Sequence, residues 1–355
     1  MGNGMRKALC AAVALLMAVA LSGACARAQT LEELRETATA LAQTIEAHGR
    51  TIALDAQPEF PDTGGMGVYV ATFGWEDQRT GQVVYVEPPP KRRGIVYRRM
   101  PRETYTPQTL PQDCRAINHP QTALEAVDTA WEVLAPLVDA APGMTVAWRE
   151  VTVMQPYFLY DKEAGEWGEQ VVPEETGWYN FEYDVLLYGA PMLSGRPYIH
   201  DWESYNAENA WGDDTATARA NTSVEIADGK TCVHATTMLP QVTKTLDESV
   251  DFAPLEPMYE VLSELAQEGL LRQVHSLRLG YLAFMYGERT QNDDGPYSKP
   301  YLLKPVWMCS AEIYSNAEDE PFDMGSGDVW RPEETVVFDA QTGEMIERAR
   351  VVAYP

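Results

Sequence analysis

The sequence predicts an α+β fold in which helices pack on antiparallel sheets and a helix-strand-strand-strand unit is duplicated. Two observations carry that expectation. Apolar residues recur at steps of three and four in three segments and at steps of two in most others, and the order helix, strand, strand, strand occurs twice along the chain.

The first helical segment, Thr30 to His48, opens on Thr30 and Glu33 in capping-box spacing. Leu31, Leu34, Ala38, Leu41 and Ile45 form its apolar stripe, and Gly49 stops it. From Thr51 to Tyr97 the period falls to two, as in Gly67 to Phe73 and Gln82 to Val86, with turns at Gly64-Gly65 and Thr80-Gly81. Pro88, Pro89 and Pro90 then break the pattern as an extended linker. The basic Lys91, Arg92 and Arg93 after them read as a solvated loop.

A second helix is expected over Thr122 to Val138, with a capping box in Thr122 and Glu125. Its buried stripe reads as Leu124, Val127, Trp131, Leu134 and Val138, and Pro136 bends its last turn. Strands follow over Val146 to Tyr160, Trp178 to Tyr188 and Ser223 to Val233, with an acidic and aromatic insertion at His200 to Asp214. The third helix, Leu255 to Gln267, buries Leu255, Met258, Tyr259, Leu262, Leu265 and Ala266 and ends at Gly269. Ser276 to Tyr286, Tyr301 to Tyr314 and Thr335 to Glu347 are the strands behind it. Both units close alike: Val224 to Lys230 and Val337 to Glu344 each run a strand into a Gly turn and out as another strand.

These readings divide the chain into a leader (1–28), an N-terminal helix (29–50), a β-rich region (51–118) and two helix-plus-sheet units (119–240 and 241–355). The leader has the three parts of an export signal: basic Arg6 and Lys7, the apolar run Ala8 to Leu21, and small residues from Ser22 to Ala28. That run is shorter than the roughly 20 residues a membrane-spanning helix needs. Ala26-Arg27-Ala28 suits cleavage before Gln29 and release of a soluble protein. Leu21-Ser22-Gly23-Ala24-Cys25 resembles a lipoprotein box, with Ser22 standing where such boxes carry leucine. Acylation of Cys25 is the preferred reading, which places the protein outside the cytoplasm on a lipid anchor; secretion is the alternative.

Acidic residues outnumber basic ones by 53 to 27, for a net charge of −26, and loss of Arg6, Lys7 and Arg27 with the leader makes the rest more negative still. Such a surface repels nucleic acid and anionic lipid, which excludes both as partners. The 45% apolar content indicates a packed core. Beyond the leader, Cys114, Cys232 and Cys309 are odd in number and include no CxxC pair, so neither a disulfide framework nor a zinc site is indicated.

His48, His119, His200, His234 and His275 are scattered without ligand spacing, and no nucleophile elbow, phosphate loop or dinucleotide fingerprint occurs. Asp213-Asp214, Asp293-Asp294 and Glu318-Asp319-Glu320 lack the rhythm of a calcium loop. No catalytic residue, cofactor or metal site is therefore assigned. Trp202, Tyr205 and Trp211, set among Asp201, Glu203, Glu208, Asp213 and Asp214, suit a sugar or a protein surface. They motivate the rival reading, a secreted hydrolase of cell-wall or polysaccharide substrates.

Three short motifs stand in series: Leu277-Arg278-Leu279-Gly280-Tyr281, Leu302-Leu303-Lys304-Pro305-Val306-Trp307, and Val337 to Glu344 with Ala340 and Gly343 at its end. The set resembles the C-terminal region of an uncharacterised family of clostridial lipoproteins. Leu54 to Pro61 resembles that family's first strand. The element order is also similar to PepSY-like modules and to the YycH and YycI proteins, extracytoplasmic regulators that bind and restrain a sensor kinase. The resemblance implies a non-catalytic binding or regulatory protein whose partner is a membrane or cell-surface protein. Those regulators are held by an N-terminal transmembrane helix, whereas this chain has a cleavable leader. Independently of the resemblance, Pro305 reads as an edge or strand-start residue and Trp307 as a core indole.

Overall fold

The computed structural model describes residues 28–38, 44–47, 50–53, 58–80, 95–99, 103–155, 157–161, 165–170, 176–193, 217–218, 221–227, 233–286, 300–314, 316–318, 322–323, 329–330 and 332–346. Within them the protein is mixed α/β, mostly strands, with three helices. In chain order these are α1 (Leu31–Ala38), β1 (Thr44–Ala47), β2 (Arg50–Ala53), β3 (Pro58–Glu59), β4 (Val68–Thr80), β5 (Ile95–Arg99), β6 (Glu103–Tyr105), α2 (Ala123–Asp139), β7 (Met144–Met154), β8 (Tyr157–Asp161) and β9 (Glu166–Gln170). They continue as β10 (Trp178–Leu187), β11 (Ala190–Pro191), β12 (Thr217–Ala218), β13 (Asn221–Ile226), β14 (Val233–Asp247), α3 (Glu256–Gln267), β15 (Leu271–Met285), β16 (Tyr301–Ile313), β17 (Phe322–Asp323), β18 (Val329–Trp330) and β19 (Glu333–Asp339).

A 12-stranded curled sheet organises the molecule, with the path β12-β15-β16-β4-β14-β13-β10-β7-β6. β4 is its hinge of pairing: it lies along the whole of β14 and also meets the first residues of β16. Beyond that contact β16 takes β19 as its second neighbour, from Val306 opposite Asp339. β11 and the residues after it return to β15, where Leu193 N donates to the Tyr281 carbonyl at 2.7 Å and Met192 bridges Tyr281. Gly280 permits this closure, since a Cβ there would stand 2.5 Å from the Pro191 carbonyl oxygen and 2.7 Å from Leu193 Cγ.

α2 begins with the expected capping box, Thr122 Oγ1 accepting from Glu125 N while the Glu125 carboxylate accepts from Thr122 N. It packs on β7, β10, β13 and β14. β10 alternates strictly, with Tyr179, Phe181, Tyr183, Val185 and Leu187 buried. α3 packs on β15 and buries Met258, Tyr259, Leu262, Leu265 and Ala266, as its period predicts. Trp307 is 1% exposed at the centre, met edge-on by Phe60 at 5.2 Å. A smaller cluster of Leu193, Leu282, Phe284, Val306, Val337 and Ile346 forms apart from the main core.

Four local expectations are corrected. The N-terminal helix ends at Ala38, and Thr44–Ala47 instead pairs with Arg50–Ala53, setting Ile45 opposite Ile52. The β-branched Thr44 and Ile45 suit that hairpin better than a continued helix. The stripe of α2 is rotated: Ala123, Ala126 and Ala130 are buried with Leu134 and Val138, while Leu124 and Trp131 face solvent. Small alanines let the helix axis approach a sheet face already filled by Tyr179, Phe181 and Tyr183.

The strand expected over Val146 to Tyr160 is two strands, β7 in the large sheet and β8 in a separate sheet with β5 and β9. Pro156 between them has no N–H for a ladder. Pro305, expected at an edge or a strand start, lies inside β16. It stands where one neighbour is exchanged for another, after Leu303 opposite Tyr69 and before Val306 opposite Asp339, so its missing donor costs no ladder bond on that side.

Candidate functional site

Cys25 lies outside the described residues. Ala28 is exposed, and Gln29 joins the body by exchanging backbone hydrogen bonds with Phe252, at 2.9 and 2.8 Å. The aromatic insertion at 200–214, the basic triplet at 91–93 and Cys232 also fall outside the described residues.

Of the histidines within the described residues, His119 and His234 are engaged in the fold and His275 is exposed on β15. His119 is 3% exposed, lies edge-on to Tyr179 at 4.5 Å and bonds through Nδ1 to the Gln121 backbone. Tyr179 pins the same loop, accepting from Ala116 N at 2.9 Å and donating to Gln121 O at 2.8 Å. His234 has Nδ1 3.5 Å from the Glu225 carboxylate. Cys114 and Cys309 are free thiols. Burial pushes the Cys309 thiol up to about 12, and burial followed by the Glu103 and Asp113 carboxylates raises that of Cys114. Neither is a thiolate at neutral pH, so neither is a ready nucleophile. Among the described residues no group of three or more His, Cys, Asp or Glu could hold a metal ion.

Two buried polar features belong to the sheet itself. Lys304 and Asp339 form an ion pair with side chains only 5% and 14% exposed, and Asp339 also accepts from Gln341 N at 2.9 Å to shape the closing turn. Trp148, Tyr183 and Thr222 stand opposite one another on β7, β10 and β13. Their Nε1, Oη and Oγ1 atoms are enclosed and have no hydrogen-bond partner among the described residues.

The closure of the sheet brings three tyrosines together. Tyr69 from β4 lies 5.3 Å from the ring of Tyr188 and 5.9 Å from that of Tyr281. Tyr281 accepts from Gly67 N at 3.0 Å, and its hydroxyl shares a hydrogen bond with that of Tyr69. Burial raises the pKa of both phenols, and for Tyr69 the nearby Tyr188, Glu248 and Asp247 add to it, so the pair stays protonated.

Tyr188 is 48% exposed and holds a left-handed backbone, φ 50°, in the two-residue turn between β10 and β11. Asn or Gly is the residue such a turn prefers; a tyrosine there costs about 1 kcal/mol or more. Its ring covers Gly143, whose φ is 78° and whose Cβ, were there one, would lie 2.3 Å from Tyr188 Cε1. The seam therefore presents one half-exposed ring, that of Tyr188, backed by two buried tyrosines, a surface for stacking.

Elsewhere a depression of about 140 Å³ is lined by Ala47, Ile52, Ala266, Gly269, Leu271 and Arg272, with Ala317 at its rim. The Arg272 guanidinium lies over the Tyr314 ring at 4.9 Å and donates to Ala317 O at 2.6 Å. No described helix is long and apolar enough to cross a membrane.

The seam was missed in sequence, where Tyr188 reads as the last residue of a strand. The signal was present: two residues, Tyr188-Gly189, separate Leu187 from its register partner Ala190. That Tyr69 and Tyr281 meet there follows from the curl of the sheet.

No family model and no curated protein matches the chain. Among solved structures, an uncharacterized protein from Eubacterium rectale ATCC 33656 is 12% identical, with a TM-score of 0.37 over 90% of this chain and 99% of that one.

Proposed function

We propose that the protein is an exported, membrane-anchored binding or regulatory protein without a catalytic role. The observation that carries this reading is Tyr188. A half-exposed aromatic ring held in a costly backbone conformation, against two further tyrosines, is the kind of strained feature that a fold retains for contact with something outside itself. Aromatic rings with polar neighbours are also the side chains favoured at binding surfaces.

The likeness to PepSY-type regulators is supported by the order of pairing. α2 is followed by β7, β10, β13 and β14, each the neighbour of the next, and α3 by β15, β16 and β19 in the same manner. On this reading the two runs are the counterparts of the unit that the sequence suggests twice, the first with four strands and the second with three. On this reading Cys25 is the acylated residue and the partner is a membrane or cell-surface protein. Four peptide units separate Cys25 from Gln29, so the anchor holds the body within about 14 Å of the bilayer. Diffusion is then confined to the membrane plane.

The test is capture from detergent-solubilised membranes with the wild-type protein and with Tyr188→Ala. A partner recovered with wild type and depleted with the variant is the expected result. Recovery of nothing above background counts against the reading. Replacement of Cys25 by Ser, read by mass spectrometry, tests the anchor separately, because unchanged processing to Gln29 removes the lipid from the account.

A further inference from the structure

From the two large apolar residues that α2 leaves in solvent, Leu124 and Trp131, we infer that its outer face is a docking surface for a cationic amphipathic segment of another protein. The helix buries its smallest residues, Ala123, Ala126 and Ala130, each at 0% exposure, and leaves Leu124 at 39% and Trp131 at 46% in solvent. Burial of apolar area ordinarily favours the opposite arrangement. Leu124 and Trp131 are seven residues apart, two turns along one side, and exposed Asp128 stands between them at the i+4 and i−3 positions.

The electrostatics select the occupant. Exposed Glu125, Glu132 and Asp139 flank this stripe, and the helix contains no Lys or Arg. Glu125 is committed to the capping box and to Arg115, 3.8 Å away. Asp128 and Glu132 have no ion pair among the described residues. Asp139 lies at the C-terminal end, where the helix dipole is already negative and no basic residue offsets it.

A segment bearing Arg or Lys beside an aliphatic residue would satisfy each of these features. Its side-chain apolar group would cover Leu124, its guanidinium would sit over the Trp131 indole within reach of Asp128, and further cations would meet Glu132 and Asp139. Anionic lipid would be repelled, and so would a second copy presenting the same acidic face. This surface is independent of the tyrosine seam.

The experiment uses a fluorescent synthetic helix of alternating Leu and Arg pairs, titrated into the full mature chain and followed by anisotropy. Wild type is expected to bind with an affinity that falls as salt rises. Trp131→Ala and Asp128→Lys are each expected to weaken binding about tenfold. Glu264→Lys, the same charge reversal on the exposed side of α3, is expected to leave it unchanged. Circular dichroism checks that each variant is folded. Equal weakening by Glu264→Lys would reduce the effect to net charge and overturn the inference, as would the absence of binding by wild type. A wild-type dimer in sedimentation that Trp131→Ala abolishes would assign the face to a second copy instead.

Discussion

Tyr188 and Gly143 are two halves of one contact. The ring lies where a Cβ on residue 143 would have to be, and residue 143 has a positive φ that side chains other than hydrogen resist. Gly143→Ala is therefore expected to destabilise the protein by about 1–3 kcal/mol. Part of that cost is backbone strain and part is collision with the ring. In a Tyr188→Ala background only the strain remains, so the two substitutions should couple in a double-mutant cycle read by chemical denaturation. Strict additivity would mean that the ring moves aside freely and is not held over residue 143.

At the scale of elements, α2 shows how far a period can be trusted. Its length, cap and last two buried residues, Leu134 and Val138, follow from the sequence. Its rotation does not. Leu124-Val127-Trp131 and Ala123-Ala126-Ala130 are both helical stripes, and hydrophobicity alone prefers the bulkier one. The choice was made by the sheet, whose aromatic side chains leave less room at Ala123, Ala126 and Ala130 than the bulkier stripe would need. Ala130→Leu is accordingly expected to cost about 1–3 kcal/mol through overpacking. Trp131→Ala should change stability by no more than about 0.5 kcal/mol. Thermal or denaturant unfolding of the two variants checks this, and the reverse ranking would restore the stripe that the period suggests.

The prolines make the same point for strands. Pro240 and Pro305 both lie within long strands of the large sheet. Among the described residues the β13 partner ends at Met238, so Pro240 has β4 alone beside it there, opposite Phe73. Pro305 sits at the exchange of β4 for β19. Each proline is thus locally an edge residue within a strand that is central elsewhere. Sequence shows that a donor is missing; the neighbour that never needed it is visible only in the paired sheet.

For the whole molecule, pH is the informative variable. Burial pushes the Cys309 thiol and the Tyr183 phenol each up to about 12. Both are held neutral by the fold, so the stability they contribute is complete below their unfolded values, about 9 and 10, and is lost as pH rises toward 12. Urea unfolding at increasing pH should show a decline that begins near 9, and Cys309→Ala should delay its onset. Tyr183→Phe should flatten the upper part of the decline. That variant should also be neutral or slightly stabilising near pH 7, because the hydroxyl it removes is enclosed without a hydrogen-bond partner among the described residues. An alkaline limb unaffected by either substitution would mean that other groups set it.

The sequence by itself determined the mixed α/β class, the capping boxes, the whole of α3 with its buried face, and the strand character of β4, β10, β15, β16 and β19. These depend on residues close together in the chain, where period and capping act directly. Tertiary structure alone decided which face of α2 is buried, which strand partners each proline faces, and that Tyr69, Tyr188 and Tyr281 converge. Each of these is set by contacts between residues far apart in the chain, formed when the sheet curls until β11 and β15 meet over Gly280. No local pattern encodes that meeting, and both surfaces proposed for binding arise from such long-range packing.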